Sequence, residues 1–236
     1  MFGVFVNVLT VLVGSSCGLL FRKALPRSIS DKVMVALGLC TVFLGVDGMI
    51  DPDYGGALPL IIIVAMVLGT FVGALLRIDD GISRLGTWVE GKFSRAQKGT
   101  VAQGFVTASL VFCVGSMTVV GSLQAGLEGD YTLLLTKSLL DLVSSSMLAA
   151  SLGIGVLFSA LFVLVFQGGL VLLSGVLQPV LTAGAVDAMV CAGALMMVAL
   201  GLNLVGATKL KVADYLPALV FAPALWWLWN WISPML

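Results

Sequence analysis

Apolar residues in this chain fall in long, nearly unbroken runs rather than in the alternation of a half-buried strand or the one-sided stripe of a surface helix. A helix needs about 20 mostly apolar residues to cross a bilayer. Eight runs approach that length: 3–21, 33–50, 57–76, 101–125, 131–150, 153–174, 185–206 and 213–232. The pattern predicts an all-α, polytopic membrane helix bundle with eight transmembrane helices, residues 1–236 forming one integral membrane domain. The fifth run fits least well, because it carries Lys137 and Asp141. One stretch has a different rhythm. In "GISRLGTWVEGKFSR", Ile82, Leu85, Trp88 or Val89, and Phe93 recur at roughly helical spacing among charges. Either a short helix lying in the membrane interface or a solvated loop would carry those residues.

Composition agrees with a membrane solvent. Hydrophobic residues make up 60% of the chain and charged residues 10%, against about 25% charged in a soluble domain. The formal net charge is zero, so the information lies in where the charges fall. Arg22, Lys23, Arg27 and Lys32 separate runs one and two; Arg77, Arg84, Lys92, Arg95 and Lys98 separate three and four; Lys209 and Lys211 separate seven and eight. With eight crossings all three loops share a side, which the positive-inside rule makes cytoplasmic. Asp51, Asp53, Glu128 and Asp130 fall on the other side. Without the fifth run Lys209 and Lys211 would move outside. Both termini are therefore expected on the periplasmic face. Trp226, Trp227, Trp229 and Trp231 of "WWLWNW" would form an aromatic belt where the last helix leaves the bilayer.

Several classes drop out. No basic n-region precedes the first run, so a cleaved signal peptide is not expected. Cys17, Cys40, Cys113 and Cys191 all lie inside apolar runs and read as buried packing residues, not as a disulfide framework or metal cluster. Histidine is absent, and no basic patch survives outside short loops, so neither a metal, a cofactor nor a nucleic-acid partner is expected. The expected partners are the lipid bilayer and a small-molecule or ion substrate; association into a homo-oligomer is left open.

Two parts of the chain look related. "MVALG" from Met34 parallels "MVCAG" from Met189, Gly45-Val46-Asp47 parallels Gly201-Leu202-Asn203, and "LPLIIIVAMVL" from Leu58 parallels "LPALVFAPALW" from Leu216. The alignment pairs runs one to three with runs six to eight, giving candidate repeat units 1–76 and 153–232 linked by 101–125 and 131–150. An offset of five runs is odd, so the units would be inverted, a frequent plan for secondary transporters. Chance similarity between apolar sequences is the competing explanation.

The polar chemistry concentrates in the linking runs. Gly115, Gly121 and Gly126 alternate with Ser116, Thr118, Ser122 and Gln124. Glycine costs about 1 kcal/mol against alanine inside a helix, so a helix broken near 115–126 and lining a cavity is one expectation. Close packing through small residues is the other, and "GSSCG" at Gly14 and "GTFVG" at Gly69 are read as packing within the bundle. In the fifth run, counting inward from Tyr131, Lys137 lies ~9 Å and Asp141 ~15 Å into a ~30 Å core. A mid-membrane aspartate costs about 2.5–3.5 kcal/mol on insertion scales. Lys137 could snorkel outward, whereas Asp141 is too short to do so. Their i,i+4 spacing puts both on one helical face, as a proton or cation site with an internal counter-ion or as a permanent ion pair. Ser138, Thr118, Ser122, Gln124 and Gly121 are candidate neighbours. Gln167, in "FQGGL", is a plausible partner, and Asp47 with its repeat mate Asn203 would join the site or cap helix ends. Asn7 carries no signal of its own. Ser138 beside Lys137 suggests a Ser–Lys pair, but adjacent helical residues point about 100° apart; no enzyme is expected.

At "GSMTVVGSLQAGL…LLLTKSLLD", followed by "SLGIGVLFSA" and "FQGG", the chain resembles the YqgA-like bacterial inner-membrane proteins, a domain of unknown function. "NVLTVLVGSSCGLLF" and "LGL…GVDGMID" extend the likeness over nearly the whole chain. The resemblance implies a bacterial multi-pass membrane protein and brings no substrate, catalytic residue or cofactor. From the residues themselves the leading expectation is a secondary transporter of a small polar or charged solute, coupled to H+ or Na+. An uncoupled channel or exporter, or a structural or regulatory membrane protein, are the alternatives.

Overall fold

The computed structural model describes residues 1–22, 27–50, 56–93, 100–113 and 116–233. Lys23, Asp51, Asp53, Arg95, Lys98 and Gly115, and the side chains of Arg27, Leu85, Val89, Lys92, Phe93 and Ser116, lie outside that description. The helices are α1 (Phe2–Arg22), α2 (Arg27–Ile50), α3 (Leu58–Leu76), α4 (Ile78–Phe93), α5 (Thr100–Cys113), α6 (Ser116–Leu127), α7 (Thr132–Leu152), α8 (Gly155–Leu172), α9 (Ser174–Leu177), α10 (Ala183–Val205) and α11 (Ala218–Ile232), with a 3-10 turn over Val212–Tyr215 before α11. Among the described residues seven segments are long and apolar enough to cross a membrane, and the pair α5–α6, bent by 59° between Val101–Cys113 and Met117–Leu127, supplies the material for an eighth.

Local chemistry marks the ends. Pro59 sits in the first turn of α3, where its missing N–H costs nothing. Gly206, at φ 85°, caps α10 in the left-handed conformation. Gly153, at φ 82°, ends α7, and a side chain there would run into the Arg22 guanidinium packed over it.

The surface is that of a protein solvated by lipid. Leu60, Ile63, Val67, Phe71 and Leu75 of α3 are more than half exposed, as are Leu39 and Phe43 of α2 and Leu139, Leu140 and Val143 of α7. Exposed apolar area of this extent is not sustained in water. Trp227, Trp229 and Trp231 are also exposed, as a lipid-facing belt requires, whereas Trp226 packs on Gly184 of α10. Cys113 and Cys191 are buried, but Cys17 and Cys40 are exposed on α1 and α2, correcting the expectation that all four pack inside. An apolar run does not say which of its faces meets lipid.

Glycine contacts give the direction of each helix pair. A side chain at Gly3 would touch Leu134, at Gly14 Leu142 and Ser145, and at Gly18 Ser146 and Ala149. Both numbers rise together, so α1 and α7 are parallel and in close backbone contact. α2 and α10 are antiparallel, with Gly38 on Gly201 and Gly45 on Ala194 and Val198. α3 and α11 are antiparallel too, Gly69 meeting Ala218 and Gly73 meeting Asp214. Gly155 touches Val101 while Gly126 touches Val171 and Ser174, so the bent pair runs parallel to α8 along ~25 Å of its length at ~1.5 Å per residue.

A re-entrant α5–α6 would return to its starting face and leave α7 as the fourth crossing, antiparallel to α1. The parallel pairing of α1 with α7 is instead the one expected where α5–α6 supplies a further span. "GSSCG" and "GTFVG" both pack within the chain. Between α5 and α6 the Thr118 hydroxyl donates to the Phe112 carbonyl at 2.9 Å, a backbone group that the interruption leaves without a helical donor. The break expected near 115–126 falls at its start, as the 59° bend between Val101–Cys113 and Met117–Leu127, with Gly115 outside the described residues; 116–127 is continuous helix, with Gly121 and Gly126 used for packing against α7 and against α8 and α9.

The "GISRLGTWVEGKFSR" segment is the helix α4. Ile78 and Ile82 pack against the core cluster around Val106, Leu200 and Val212, while Trp88 is exposed.

Candidate functional site

The most expensive polar placement in the bundle sits at the middle of α7. Lys137 and Asp141 are each 5% exposed, and Lys137 Nζ donates to Asp141 Oδ2 at 2.5 Å. Lys137 therefore does not snorkel. One helical turn separates the two residues, so the ammonium reaches its partner without leaving the interior. The ring of Phe112, on α5, lies 5.9 Å from the ammonium, adding a cation–π contact that a desolvated cation strengthens. Cys113 is buried beside the pair.

A second polar group arrives from α1 and α8. Asn7, fully buried on α1, donates through Nδ2 to Gln167 Oε1 on α8 at 3.1 Å. Its side chain also lies beside the Asp141 carboxylate. The stripe Gly3, Asn7, Val11, Gly14 and Gly18 is the buried face of α1, and the glycines bring that face close enough to α7 for a short amide to reach the acid. The result is a continuous buried chain, Lys137–Asp141–Asn7–Gln167, contributed by three helices.

Several buried polar atoms among the described residues have no protein partner. They include Gln167 Nε2 within this chain, Ser122 Oγ on α6, Ser15 Oγ on α1, and Thr107 Oγ1 and Ser109 Oγ on α5. Buried polar groups are normally satisfied by protein or water.

The other expected residues divide. Ser122 is fully buried, and since Gly126 touches Val171 and Ser174, the turn before it on the same face of α6 lies along α8 near Gln167. Ser138 does not form a Ser–Lys pair: its hydroxyl donates to Leu134 O at 2.7 Å within its own helix. Thr118 is spent on the Phe112 carbonyl, Gly121 is a contact with Leu133 and Leu134, and Gln124 is half-buried near the end of α6. Asp47 is exposed near the end of α2. Asn203 is a loop clamp: it accepts from Leu210 N–H at 2.8 Å and Thr208 Oγ1 at 2.7 Å, and donates to Leu210 O at 2.8 Å. Its α10 partner α2 thus gains nothing from the Asp47–Asn203 pairing. Asn7 was the member without a sequence signal of its own; its place on the glycine-marked face was the available clue.

On the face carrying the basic loops, a cleft of about 230 Å³ opens among α4, α5, α10 and the 3-10 turn, lined by Asp79, Ser83, Gln103, Val106 and Asn203. The Asp79 N–H donates to Asp214 Oδ1 at 2.9 Å, so the acid of the 3-10 turn caps the start of α4, and the Asp79 carboxylate faces the Ala213 N–H. Burial, and then Asp214, push the Asp79 carboxyl above its ordinary range. The exposed Lys211–Asp80 pair, at 2.6 Å, straps α4 to the same turn and holds the Asp80 carboxyl below the usual range.

Comparison with known proteins places this geometry in a family. The model described as "Protein of unknown function (DUF554)" matches residues 2–227. The chain is 30% identical over 223 residues to "Uncharacterized membrane protein YdfK" of Bacillus subtilis (strain 168), covering 94% of each. It is 26% identical over 234 residues to "Uncharacterized protein YqgA" of Escherichia coli (strain K12), covering 96% of this chain and 98% of the relative. No solved structure matches it significantly.

Proposed function

This chain belongs to the DUF554 family, and we propose that it is a secondary transporter of a small polar or charged solute, coupled to H+ or Na+, in the bacterial inner membrane. The observation that carries this reading is the buried chain Lys137–Asp141–Asn7–Gln167 set beside a broken span. Ionisable groups at this depth are costly and are characteristic of substrate and ion pathways. The reading is not enzymatic.

A route to the site supports it. The cleft lined by Asp79 and Gln103 lies at the start of α5, and Phe112 and Cys113 at its end flank the ion pair. Thr107, one turn beyond Gln103 on the same face of α5, is buried and has no protein partner. Gln103 and Cys113 lie ~15 Å apart along the helix at ~1.5 Å per residue. On this reading the cleft is the cytoplasmic vestibule and both termini face the periplasm.

The inverted arrangement has support as well. Gly38 meets Gly201 and Gly45 meets Ala194, the reciprocal pattern that a two-fold axis between α2 and α10 would produce from the aligned segments. Exchanging α1 with α8, and α7 with α5–α6, also turns one parallel pair into the other. In this form α7 and α5–α6 become mates across the axis instead of linkers, and the site lies between them. The departure is that α10 packs on both α3 and α11, while α2 packs on neither to a similar degree.

The test is transport by purified protein in proteoliposomes under an imposed proton or sodium gradient. Wild type is expected to show saturable, gradient-dependent solute uptake, and Asp141→Asn, which keeps shape but not charge, to lose the gradient dependence. Uptake that is unchanged in Asp141→Asn overturns the proposal. A second reading, a fixed architectural ion pair, is favoured by the closed 2.5 Å contact; on it, removing both charges together leaves every activity intact.

A further inference from the structure

We infer that the solute of the proposed transport site is a small anion, bound through the amide of Gln167 and the ammonium of Lys137 and carried with protons in an electroneutral step. This inference rests on the transport reading and adds the charge of the substrate to it.

The argument is a donor count. The Asn7 amide nitrogen donates to the Gln167 carbonyl oxygen at 3.1 Å, and the Asn7 carbonyl oxygen accepts from the Thr10 hydroxyl at 3.5 Å. Gln167 is left with an amide nitrogen that is fully buried and has no protein acceptor. An NH2 group has two hydrogens and no usable lone pair, so what satisfies it must bring an oxygen or another acceptor. A cation would meet that nitrogen unfavourably. Ser122, a buried hydroxyl without a protein partner on the face of α6 that runs along α8, can donate to the same guest. Gly168, next to Gln167, is buried with only the flexible end of Met1 in ordinary contact with an added methyl, so this turn of α8 is not tightly filled.

Charge balance names the co-substrate. With the ion pair closed, the interior is neutral, and an anion alone would leave it negative in a medium that penalises net charge. A proton on Asp141 cancels that charge and releases the Lys137 ammonium to face the anion. Deprotonation re-forms the ion pair and expels it. The groups facing Asp141 are Lys137 on its own helix, Asn7 on α1 and Cys113 on α5. The Gly155–Leu172 segment of α8 and the Ser116–Leu127 segment of α6 contain no charged residue. Asp141 is thus the acid through which a proton can be coupled.

The experiment uses the full chain in proteoliposomes containing a trapped pH-sensitive dye, with methanesulfonate and phosphate as anion probes and tetramethylammonium and choline as cation probes. We expect an anion to drive saturable internal acidification above that of empty liposomes. Gln167→Met, isosteric and apolar, should raise the half-saturation concentration about tenfold or more, the scale of one hydrogen bond to a charged group, and Ser122→Ala should raise it by less. Saturable cation uptake that depends on Asp141, with no response to anions, overturns the anion assignment and leaves the transport reading standing. Anion-driven alkalinisation, the mark of exchange for protons, keeps the anion and overturns the electroneutral co-transport step. Absence of flux with every probe and with every solute tried under the imposed gradients overturns both.

Discussion

Asn7 and Asp141 show how the cost of a single side chain depends on its neighbours. Removing one charge of a buried pair leaves the other uncompensated, at about 3–5 kcal/mol, whereas replacing both with apolar residues of similar size is often neutral or stabilising. We therefore expect Asp141→Leu to lower the unfolding midpoint in detergent sharply and Lys137→Met/Asp141→Leu to restore most of it. If the double variant is no more stable than the single one, Lys137 is not paired as the 2.5 Å contact implies. Asn203→Ala should cost about 1–3 kcal/mol, because it strips three hydrogen bonds from the loop between Gly206 and Leu210; an unchanged unfolding midpoint would show that the clamp contributes nothing. Lys137 and Asp141 were legible as a pair from their spacing, and Gln167 from its depth. Asn7 was not, because near a run's end an amide is cheap. Its importance comes from the glycines that press α1 onto α7, a relation between distant segments.

Those glycines are the working parts of the helix pairs. At Gly14 a methyl would collide with the Leu142 carbonyl and Ser145 hydroxyl, at Gly18 with the Ser146 carbonyl. Backbone at that distance cannot give way as a side-chain tip would, so Gly14→Val is expected to cost at least the ~1–3 kcal/mol of ordinary overpacking and to separate Asn7 from Asp141. Gly81→Ala on α4, where an added methyl meets nothing, should be silent. A cysteine cross-linking or thermal-unfolding comparison of the two checks this. α4 itself makes a pH prediction. The folded-state carboxyl of Asp79 lies above its unfolded value through burial and Asp214, with Lys211 opposing and Asp80 reinforcing, so the folded state binds that proton more tightly. The stability it contributes is present in acid and lost as pH rises through the folded value. Asp79→Asn keeps an acceptor for Ala213 and cannot ionise. It should be more stable than wild type at neutral pH, with the advantage vanishing in acid; an advantage that persists in acid would assign the effect to something other than ionisation. The apolar runs announced every crossing within a few residues. The interruption of the fourth was readable from its glycines, but which glycines bend the chain and which pack depends on what faces them: Gly121 and Gly126 have neighbours on α7, α8 and α9.

The bundle as a whole follows from two constraints, apolar surface outward and backbone satisfied within each segment. Parallel packing of α1 on α7 fits an even count of eight. Reporter fusions at either end should place both termini on the same, periplasmic side; termini on opposite faces would contradict the crossing of α5–α6. The charge distribution over the loops made an eight-span reading legible, while the pairing of α1 with α7 is a relation between distant segments that no single run announces. What the fold is for depends on whether its central acid is reached by solute or sealed away. The most direct test is uptake by Lys137→Met/Asp141→Leu, the variant expected to stay folded. We expect it to match wild type in unfolding midpoint and to transport nothing above empty liposomes. Wild-type uptake from this variant would contradict the transport site and leave Lys137 and Asp141 as architecture.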